Sequence, residues 1–403
     1  MNRNVLITGL GAISAPGLNI PTFWDALKAG HTAIKPLKLA VDDVKISVAA
    51  RLPDYDPENY FSPDELTLLD QYSQLAVIAA TEAINDAGLI NNEKILTNTA
   101  TIVGSGCCAK HTDEDTSVKL YKQHRSRLHP LTIPKGMPSA AANMVSMHLG
   151  IKGPAFVISS ACASGSHAII QGMSMIQSGV VDVALVGASD APFTYGLLKS
   201  WDSLRVVSND TCRPFCKDRS GLVLGEGAGM LVLESEDHAT KRGARIYAEL
   251  AGSGMTSDAT HITRPDITGI SNAMNRALNH ANLNSDDVDY INAHGTGTVL
   301  NDITETTAIH QVFGNYAKSL VVSSTKSIHG HALGASSALE IIATTLAIYH
   351  SIIPPTTNFT LADEQCDLDY VPNKARDQEI TVAMSNSFAF GGLNAVIVLK
   401  KYT

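Results

Sequence analysis

The sequence predicts an α/β fold, in which helices cover both faces of parallel sheets. Short apolar runs alternate with longer amphipathic patterns along the whole chain, as expected when strands are interleaved with helices. The composition agrees: 44% of the residues are hydrophobic, 5% are aromatic, and 30 glycines suit many tight turns between strands and helices. A chain of 403 residues is long enough for two cores or for one large duplicated core.

The strand pattern begins with an apolar run at 5–13, which Gly9 and Gly11 interrupt. The run lacks a clear cleavage site, so we expect a first strand at 5–8 and not a signal peptide. Further strands are predicted at 101–103, 155–159, 183–186, 229–234, 288–292, 320–323, 381–384 and 395–399. Helices are predicted at 75–87, 164–178, 269–281 and 336–350.

Two segments depart from this alternation. The polar stretch 236–245 lies between apolar runs, and it predicts a boundary between an N-terminal half, 1–243, and a C-terminal half, 244–403. The segment 106–138 contains a charged helical piece and no clear strand. Such a segment is typical of an insertion that caps a site or forms a subunit contact.

The bulk composition argues against several classes of function. A formal charge of −9 argues against general nucleic-acid binding, although it leaves room for a local basic patch. Six cysteines are too few for a disulfide scaffold, and Cys212 and Cys216 have no second pair to complete a metal site. The most apolar helix, around 338–350, is too short to span a bilayer. We therefore expect a soluble, cytoplasmic protein.

The first candidate for chemistry is FVISSACASGSHAI, residues 156–169, where an apolar strand leads through small residues to Cys162 and a helix. This pattern resembles a nucleophile elbow, which presents a side chain at a helix N-terminus. The positive end of the helix dipole favours a thiolate, and small neighbours let a thioester approach the sulfur. A buried cysteine in an ordinary strand-to-helix turn is the alternative.

The second candidate is NAHGTGT, residues 292–298, which follows a predicted strand. His294 stands at the carboxyl end of that strand, where α/β folds expose catalytic groups. Thr296 and Thr298 offer hydroxyls to an amide-rich ligand. A histidine that only hydrogen-bonds the backbone remains an equally good interpretation of this motif alone.

The third candidate is SSTKSIHGHALGASSALE, residues 323–340, which contains Lys326, His329, His331 and Glu340. The two histidines are separated by one glycine, so we do not expect both to point into one site. A metal site would need further ligands that the neighbouring sequence lacks. Lys326 and Glu340 suit a buried ion pair, which is structural whether or not catalysis uses it.

The fourth candidate is SNSFAFGGLN, residues 385–394, a glycine turn between two strands. Backbone amides in such a turn can stabilise an oxyanion. Phe388 and Phe390 flank the turn, and either could gate a pocket. A glycine turn with packed aromatic rings is common, so this motif is weak by itself.

Together these motifs resemble the elongating β-ketoacyl-acyl carrier protein synthases of fatty-acid and polyketide synthesis. The resemblance covers essentially the whole chain, and it includes VLITGLGAIS at 5–14, TCRPFCKDRSGLVLGEGAGMLVLE at 211–234 and CDLDYVPN at 366–373. It looks closest to the stand-alone, type II enzymes. KGMPSAA at 135–141 and LKSWDSLRV at 198–206 also look like the nodulation-type and aryl-polyene-type branch.

The resemblance implies a thiolase fold, with two βαβαβαββ halves in a five-layer αβαβα sandwich, and a dimer. Cys162 would accept the acyl group from acyl carrier protein, while His294 and His331 promote decarboxylation of a malonyl carrier protein. The amides of Cys162 and Phe390 would form the oxyanion hole. By the same resemblance Thr296 and Thr298 hold the pantetheine arm, Lys326 and Glu340 keep the histidines in register, and no metal or redox cofactor is needed.

Several positions depart from the family pattern. Ala389 replaces the glycine before the gating Phe390, which predicts a less mobile loop. Cys107 replaces an aliphatic residue beside the acyl chain, which predicts a pocket for longer or stiffer chains. The region that is commonly basic in the family reads SPDELTLLD at 62–70 and contains no Lys or Arg, so docking of the acidic carrier is expected elsewhere. For the basic residues within 119–127, a solvated charged face is an equal alternative. The expected docking residues are Lys119, Lys122, Arg125, Arg127 and Arg205.

Three related activities fit the sequence less well. A thiolase acting on coenzyme A thioesters would carry a second cysteine near the C-terminus, where this chain has SNSFAFGG. An initiating synthase would pair its cysteine with His and Asn, whereas here His331 occupies the second position. A chain-length factor, which shapes a pocket without catalysis, typically lacks the nucleophile. A homodimer and a heterodimer with such a factor both remain open.

Overall fold

The structure, a computed structural model, describes residues 3–38 and 43–403. Its centre is a mixed β-sheet of ten strands, numbered here in chain order. The strands are β1 (Val5–Ser14), β2 (Ala100–Gly104), β3 (Ala155–Ile158), β4 (Val183–Asp190), β5 (Gly227–Ser235), β6 (Ala248–Ser257), β7 (Tyr290–Asn292), β8 (Val321–Ser323), β9 (Val382–Ala389) and β10 (Leu393–Lys400). Two further two-stranded ribbons pair Lys35–Pro36 with Val48–Ala49 and Ile352–Ile353 with Arg376–Asp377.

Nine helices of eight or more residues pack around this sheet within the described part of the chain. They are α1 (Ile20–Ala29), α2 (Gln71–Asp86), α3 (Lys110–Ser117), α4 (Ala140–Leu149), α5 (Ser164–Gln177), α6 (Tyr195–Leu204), α7 (Ile267–Ala281), α8 (Val299–Phe313) and α9 (Gly334–His350). Shorter α-helical turns occur at Pro63–Leu66, Glu93–Leu96, Thr132–Gly136, Glu236–Lys241 and Lys326–His329. No helix among the described residues is both long enough and apolar enough to cross a bilayer.

The strand order shows that the fold repeats. Across the sheet the order is β8-β7-β9-β10-β6-β1-β5-β4-β2-β3. Counted from β1, the N-terminal strands run first-fifth-fourth-second-third, and the C-terminal strands run in the same order counted from β6. The two halves meet where β1 pairs with β6 through only two residue pairs. The molecule therefore consists of two βαβαβαββ halves, as the thiolase fold requires.

The prediction of parallel sheets was only partly right. Four of the nine neighbouring strand pairs are parallel, namely those that β2 makes with β3 and β4, and those that β7 makes with β8 and β9. The other five pairs are antiparallel. The reason is visible at β9 and β10, which are joined by a three-residue turn, because a tight turn can only return the chain antiparallel.

Five layers follow from where the helices pack. α5 and α9 contact each other and lie between the two halves of the sheet, while α2 and α4 cover one outer face and α7 and α8 the other. α9 is buried from Gly334 to Ile348. A Cβ on Gly165 of α5 would lie 2.6 Å from the Ser337 hydroxyl of α9, so this glycine permits the close approach of the central helices.

All nine predicted strands are present, but β6 was not predicted. Gly252 and Gly254 interrupt its apolar pattern, and both face helix α7. A Cβ on Gly254 would lie 2.0 Å from the Ala273 carbonyl, and one on Gly252 would lie 2.6 Å from the Ala277 carbonyl. The close packing of α7 on β6 therefore requires the residues that hide the strand in the sequence.

Candidate active site

Cys162 lies in a sharp turn between β3 and α5, as the elbow pattern predicts. It belongs to a single 3₁₀ turn directly before α5, and 8% of its surface is exposed. Ala161 adopts a left-handed backbone, with a φ of 50°, which turns the chain into the helix. The Ser164 hydroxyl fastens this turn, since it accepts from the Ser160 amide at 2.9 Å and donates to the Ala161 carbonyl at 2.7 Å.

The resting sulfur is a thiol. Burial raises the pKa of Cys162 to about 11, and the nearby Asp190 carboxylate adds to this effect. The Lys326 ammonium and the backbone amides of Phe390 and Cys162 act in the opposite direction. The helix terminus predicted to favour a thiolate is therefore outweighed by burial in this state.

His294 follows β7 and is held from both sides. The Glu305 carboxylate of α8 accepts hydrogen bonds from the amides of His294, at 2.9 Å, and Gly295, at 2.8 Å. The Lys326 ammonium donates to the His294 carbonyl at 2.6 Å and to its Nδ1 at 3.3 Å. Because an ammonium can only donate, Nδ1 is an acceptor and the ring proton resides on Nε2.

His331 precedes α9 and has the same tautomer. The amide of Leu333 donates to its Nδ1 at 3.1 Å, which assigns the ring proton to Nε2. The rings of His294 and His331 meet edge to face, with centroids 5.7 Å apart. Burial, followed by the charge of Lys326, lowers the pKa of both histidines well below its ordinary value. Both rings are therefore neutral N–H donors at physiological pH.

Lys326 and Glu340 lie directly behind the histidines and bond to each other. Neither side chain is more than 1% exposed. Burial raises the pKa of Glu340 to about 7, whereas Lys326 opposes that shift. The ammonium thus has three acceptors, which are the Glu340 carboxylate and two atoms of His294, and this bonding fixes the orientation of the His294 ring.

The Cys162 sulfur and the two imidazole rings share one cavity of about 380 Å³. Cys162, His294 and His331 line it together with Phe388 and Phe390. The cavity wall also includes Trp201, Arg205, Val206, Leu222, Ile262, Arg264, Thr296, Thr298, Val299 and Leu300. The hydroxyls of Thr296 and Thr298 are 2.8 Å apart, so the two predicted pantetheine ligands lie together on its wall.

The glycine turn at the end of β9 forms another wall of the cavity. Gly391 and Gly392 have φ values of 84° and 69°, which place Phe390 against Trp201 with ring centroids 6.1 Å apart. Phe388 meets the His294 ring at 5.8 Å. Since the Phe390 amide also faces the Cys162 sulfur, the turn supplies both an aromatic lid and a donor for an oxyanion.

Of the predicted site residues, Lys326 and Glu340 lie behind the cavity, and five others, Cys107, Lys119, Lys122, Arg125 and Arg127, do not line it. Lys122, Arg125 and Arg127 are exposed and belong to the predicted insertion, where they follow α3. Cys107 packs in an apolar cluster that also contains Trp201 and Phe390, and its thiol donates to Asp190 at 3.1 Å. Arg205, in contrast, is exposed and lines the cavity.

His329 points away from the cavity, as expected. Its Nδ1 bonds to the Gly330 carbonyl at 2.8 Å and its Nε2 to the Thr325 hydroxyl at 3.0 Å. Burial, followed by the charge of Lys326, lowers the pKa of His329 to about 3. His329 therefore serves to hold its own turn.

Two buried carboxylates, Glu305 and Asp190, were not predicted from the sequence. Both are fully buried and accept hydrogen bonds from backbone amides beside the candidate catalytic residues. The available signal was a charged residue on the buried side of α8 and another at the carboxyl end of β4. Buried carboxylates of this kind need several donors, which only the folded chain reveals.

The arrangement can perform covalent acyl chemistry. It combines a thiol, two neutral imidazole N–H donors and backbone amides that stabilise negative charge on the sulfur around one cavity. Within residues 3–38 and 43–403, no group of three or more His, Cys, Asp or Glu side chains is placed to hold a metal ion. The donors suit stabilisation of enolate and tetrahedral oxyanions.

Comparisons with known proteins find matches over nearly the whole chain. Residues 2–239 match the model of the β-ketoacyl synthase N-terminal domain, and residues 247–360 match that of its C-terminal domain. The chain is 48% identical over 403 residues to nodulation protein E of Rhizobium leguminosarum bv. trifolii, with all of both chains covered. It is 41% identical to 3-oxoacyl-[acyl-carrier-protein] synthase 2 of Staphylococcus aureus, covering all of this chain and 99% of that one.

A solved structure, the ishigamide ketosynthase/chain length factor, superposes with a TM-score of 0.95 at 35% identity, and all of both chains is covered. Family models, full-length relatives and the superposed structure thus agree with the duplicated fold. The chain belongs to the β-ketoacyl synthase family.

Proposed function

We propose that this protein is a β-ketoacyl-acyl carrier protein synthase, which joins an acyl thioester to malonyl carrier protein by decarboxylative Claisen condensation. The observation that carries the proposal is that Cys162, His294 and His331 line one cavity, with both rings fixed as Nε2–H donors. A family member with this site is an acyltransferase. The product is a 3-oxoacyl carrier protein.

The first half-reaction is transfer of the acyl group to Cys162. The thiol must lose its proton, after which the sulfur attacks the thioester carbonyl and the carrier thiol leaves with a proton. The amides of Cys162 and Phe390 stabilise the oxyanion of the tetrahedral intermediate. Splitting one condensation into two transfers lowers each barrier, and Cys162 holds the acyl group between the two steps.

The second half-reaction begins when malonyl carrier protein loses carbon dioxide. The electron pair of the broken carbon–carbon bond becomes an enolate, whose oxygen accepts from the Nε2–H groups of His294 and His331. The enolate carbon then attacks the acyl group on Cys162, and the sulfur leaves and is reprotonated. Lys326 and Glu340 are assigned the role of holding His294 in the donating tautomer.

Access to this site is through the face that Thr296, Thr298 and Arg205 line. We assign the two threonine hydroxyls to the amides of the pantetheine arm. We assign to Cys107 an influence on which acyl chains fit the pocket, and to Ala389 a reduction in the mobility of the loop. Both residues lie close to Phe390 in the fold.

The partner at this entrance is acyl carrier protein. Arg205 and Arg264 are exposed, form no ion pair within the described chain, and line the cavity beside exposed apolar side chains. Ile262 is 70% exposed and Leu300 is 59% exposed. Such a rim suits an acidic carrier with an apolar contact surface. Lys119, Lys122, Arg125 and Arg127 remain a second proposed contact, on the insertion.

A second ketosynthase-fold chain is the other proposed partner, either a copy of this chain or a chain-length-factor-like subunit. β3 is an edge strand of the sheet, so its outer backbone groups are available for pairing. The insertion carries exposed Tyr121, at 78%, and Ile133, at 74%. A solved relative pairs a ketosynthase with a chain length factor. The proposed location is the cytoplasm, and the two proposed halves divide at residues 243 and 244.

The direct test is to load the purified protein with an acyl carrier protein and measure its intact mass. We expect the mass to rise by one acyl group on Cys162, and Cys162→Ala to lose both loading and condensation while it keeps the fold. Cys366→Ala, which removes another buried thiol outside the cavity, is the matched control and should load normally. Loading from coenzyme A thioesters alone would favour a thiolase instead.

A further inference from the structure

Asp190, the last residue of β4, is a buried carboxylate with an unusual set of partners. Its Oδ1 accepts hydrogen bonds from the Ser105 hydroxyl at 2.7 Å, the Cys107 amide at 3.0 Å and the Cys107 thiol at 3.1 Å. Its Oδ2 accepts from the amides of Gly106 and Gly334, each at 2.8 Å. The side chain is 0% exposed, so these donors take the place of water.

The donors to Asp190 come from two segments that are far apart in the sequence. Ser105, Gly106 and Cys107 follow β2, while Gly334 is the first residue of α9, three positions after His331. The Cys162 turn lies against both: a Cβ on Gly106 would be 3.3 Å from the Ala161 carbonyl, and one on Gly334 would be 2.9 Å from the Ser164 Cβ. Asp190 is thus the polar centre of this junction.

Both turns at this junction have a backbone that other contacts must hold. Ala161 and Leu333 each have a φ of 50°, and each stands immediately before a residue of the junction. A left-handed backbone costs a non-glycine residue about 1 kcal/mol or more, so it persists only where the surroundings enforce it. The bond from the Gly334 amide to Asp190 directly follows Leu333 and provides such a restraint.

We propose that Asp190 is a positioning residue of the condensation reaction, which holds the turn of Cys162 and the start of the His331 helix in register. It touches neither substrate nor reacting atoms in this arrangement, since the cavity wall does not include it. The expected effect on condensation kinetics rests on the proposed function. The second consequence of Asp190, a negative charge beside the thiol, is independent of the substrate.

That charge gives the proposal a distinctive signature. The ionisable groups around Cys162 are Lys326, Asp190, His294 and His331. Burial has the largest effect on the pKa of Cys162, and the Asp190 carboxylate raises that pKa further. Within the described chain no Lys or Arg forms an ion pair with Asp190. Burial raises the pKa of Asp190, and the hydrogen bonds from Gly106, Ser105 and Cys107 act in the opposite direction and favour the carboxylate.

The test is Asp190→Asn, which keeps the shape and removes the charge and one acceptor. The first measurement is the pH dependence of Cys162 alkylation by iodoacetamide, read by intact mass. We expect the midpoint to shift to lower pH, so that alkylation at pH 8 is about threefold to tenfold faster relative to its plateau, since one pKa unit is a tenfold change. The second is condensation, whose kcat should fall about tenfold to hundredfold with KM within about twofold.

Glu234→Gln is the matched control. Glu234 is also 0% exposed and lies on the neighbouring strand β5, but at the opposite end of the β4–β5 pair, where it bonds to Arg242. It reports what loss of any buried carboxylate does to folding. An alkylation midpoint unchanged from wild type, or a kcat loss no larger than that of Glu234→Gln, would overturn the assignment.

Ser105→Ala keeps the proposal testable if Asp190→Asn does not fold. It removes one donor to Asp190 and leaves the charge in place. We expect kcat to fall about threefold with an unchanged KM, as for loss of one hydrogen bond. An unchanged kcat would count against the proposal. If wild type itself fails to condense acyl groups, the alkylation measurements still decide the effect of Asp190 on the thiol.

Discussion

Lys326 links His294 to Glu340 behind the proposed catalytic cavity. A fully buried ammonium must place each N–H on an acceptor, and here Glu340 and two atoms of His294 accept all three. The same bonds prevent His294 from carrying its proton on Nδ1. The same ammonium group therefore balances the charge of Glu340 and fixes the tautomer of His294.

Lys326→Ala is expected to lower the free energy of unfolding by about 3–5 kcal/mol, because Glu340 is left buried without its partner. Condensation should be lost, while alkylation of Cys162 persists. Denaturant unfolding with a parallel activity assay measures both effects. Lys401→Ala, which breaks the exposed pair with Glu379, is the control and should leave unfolding unchanged within error. A stable, active Lys326→Ala protein would refute this account.

At the residue scale, the sequence predicted the side chains that share the cavity and the Lys326–Glu340 pair behind them, but not the buried carboxylates that hold the surrounding backbone. Cys162, His294 and His331 stand in recognisable turns after strands, so their types and positions could be inferred. Asp190 and Glu305 could not, since a carboxylate among apolar residues has no local pattern that names its partners. The protonation of the thiol was also missed, because burial depends on the packing of the whole centre.

At the scale of elements, the central helices and the turn after β9 place the reactive groups. α5 begins just after Cys162 and α9 just after His331, and the two helices approach closely at Gly165. The turn then brings Phe390 over the cavity. Helix and strand patterns predicted these elements well, whereas their closeness depends on single glycines whose role appears only in three dimensions.

Gly392→Ala is expected to slow acylation of Cys162 strongly, and Gly391→Ala only weakly. Both glycines have positive φ, so both substitutions carry a similar backbone strain of about 1 kcal/mol. A Cβ on Gly392 would also lie 2.5 Å from the Cβ of Asp258, whereas one on Gly391 has a nearest neighbour at 3.9 Å. Single-turnover acylation measures the difference, and equal rates for the two variants would show that the turn does not position the Phe390 amide.

At the scale of the whole molecule, the site lies at the carboxyl ends of the strands. β3 leads to Cys162, β4 ends at Asp190 and β7 leads to His294, all on that side of the sheet. A separate cavity lies at the amino ends of the strands, and Lys94, Lys152 and Lys241 line it. Basic residues at the amino ends of the strands can therefore serve as a control for those proposed to bind the carrier protein.

Charge reversal of Lys122, Arg125 and Arg127 is expected to weaken carrier binding, most strongly at low salt, and reversal of Arg205 should do the same. The control reverses Lys94, Lys152 and Lys241, which changes the net charge by the same amount as the first triple at the other edge. Affinity measured at two salt concentrations separates the sets. Affinity unchanged by the insertion variant at low salt would remove that segment from the docking surface.

The repeated strand order has a consequence for how this enzyme can change over time. One copy of the repeat carries Cys162, the proposed nucleophile, at the start of its central helix, and the other carries His331, a proposed hydrogen-bond donor, at the start of its own. A change that displaces one central helix therefore displaces one group of the set relative to the other, so the two halves constrain each other's substitutions. A fragment holding one copy would be chemically inert, and only reassembly of both would restore turnover.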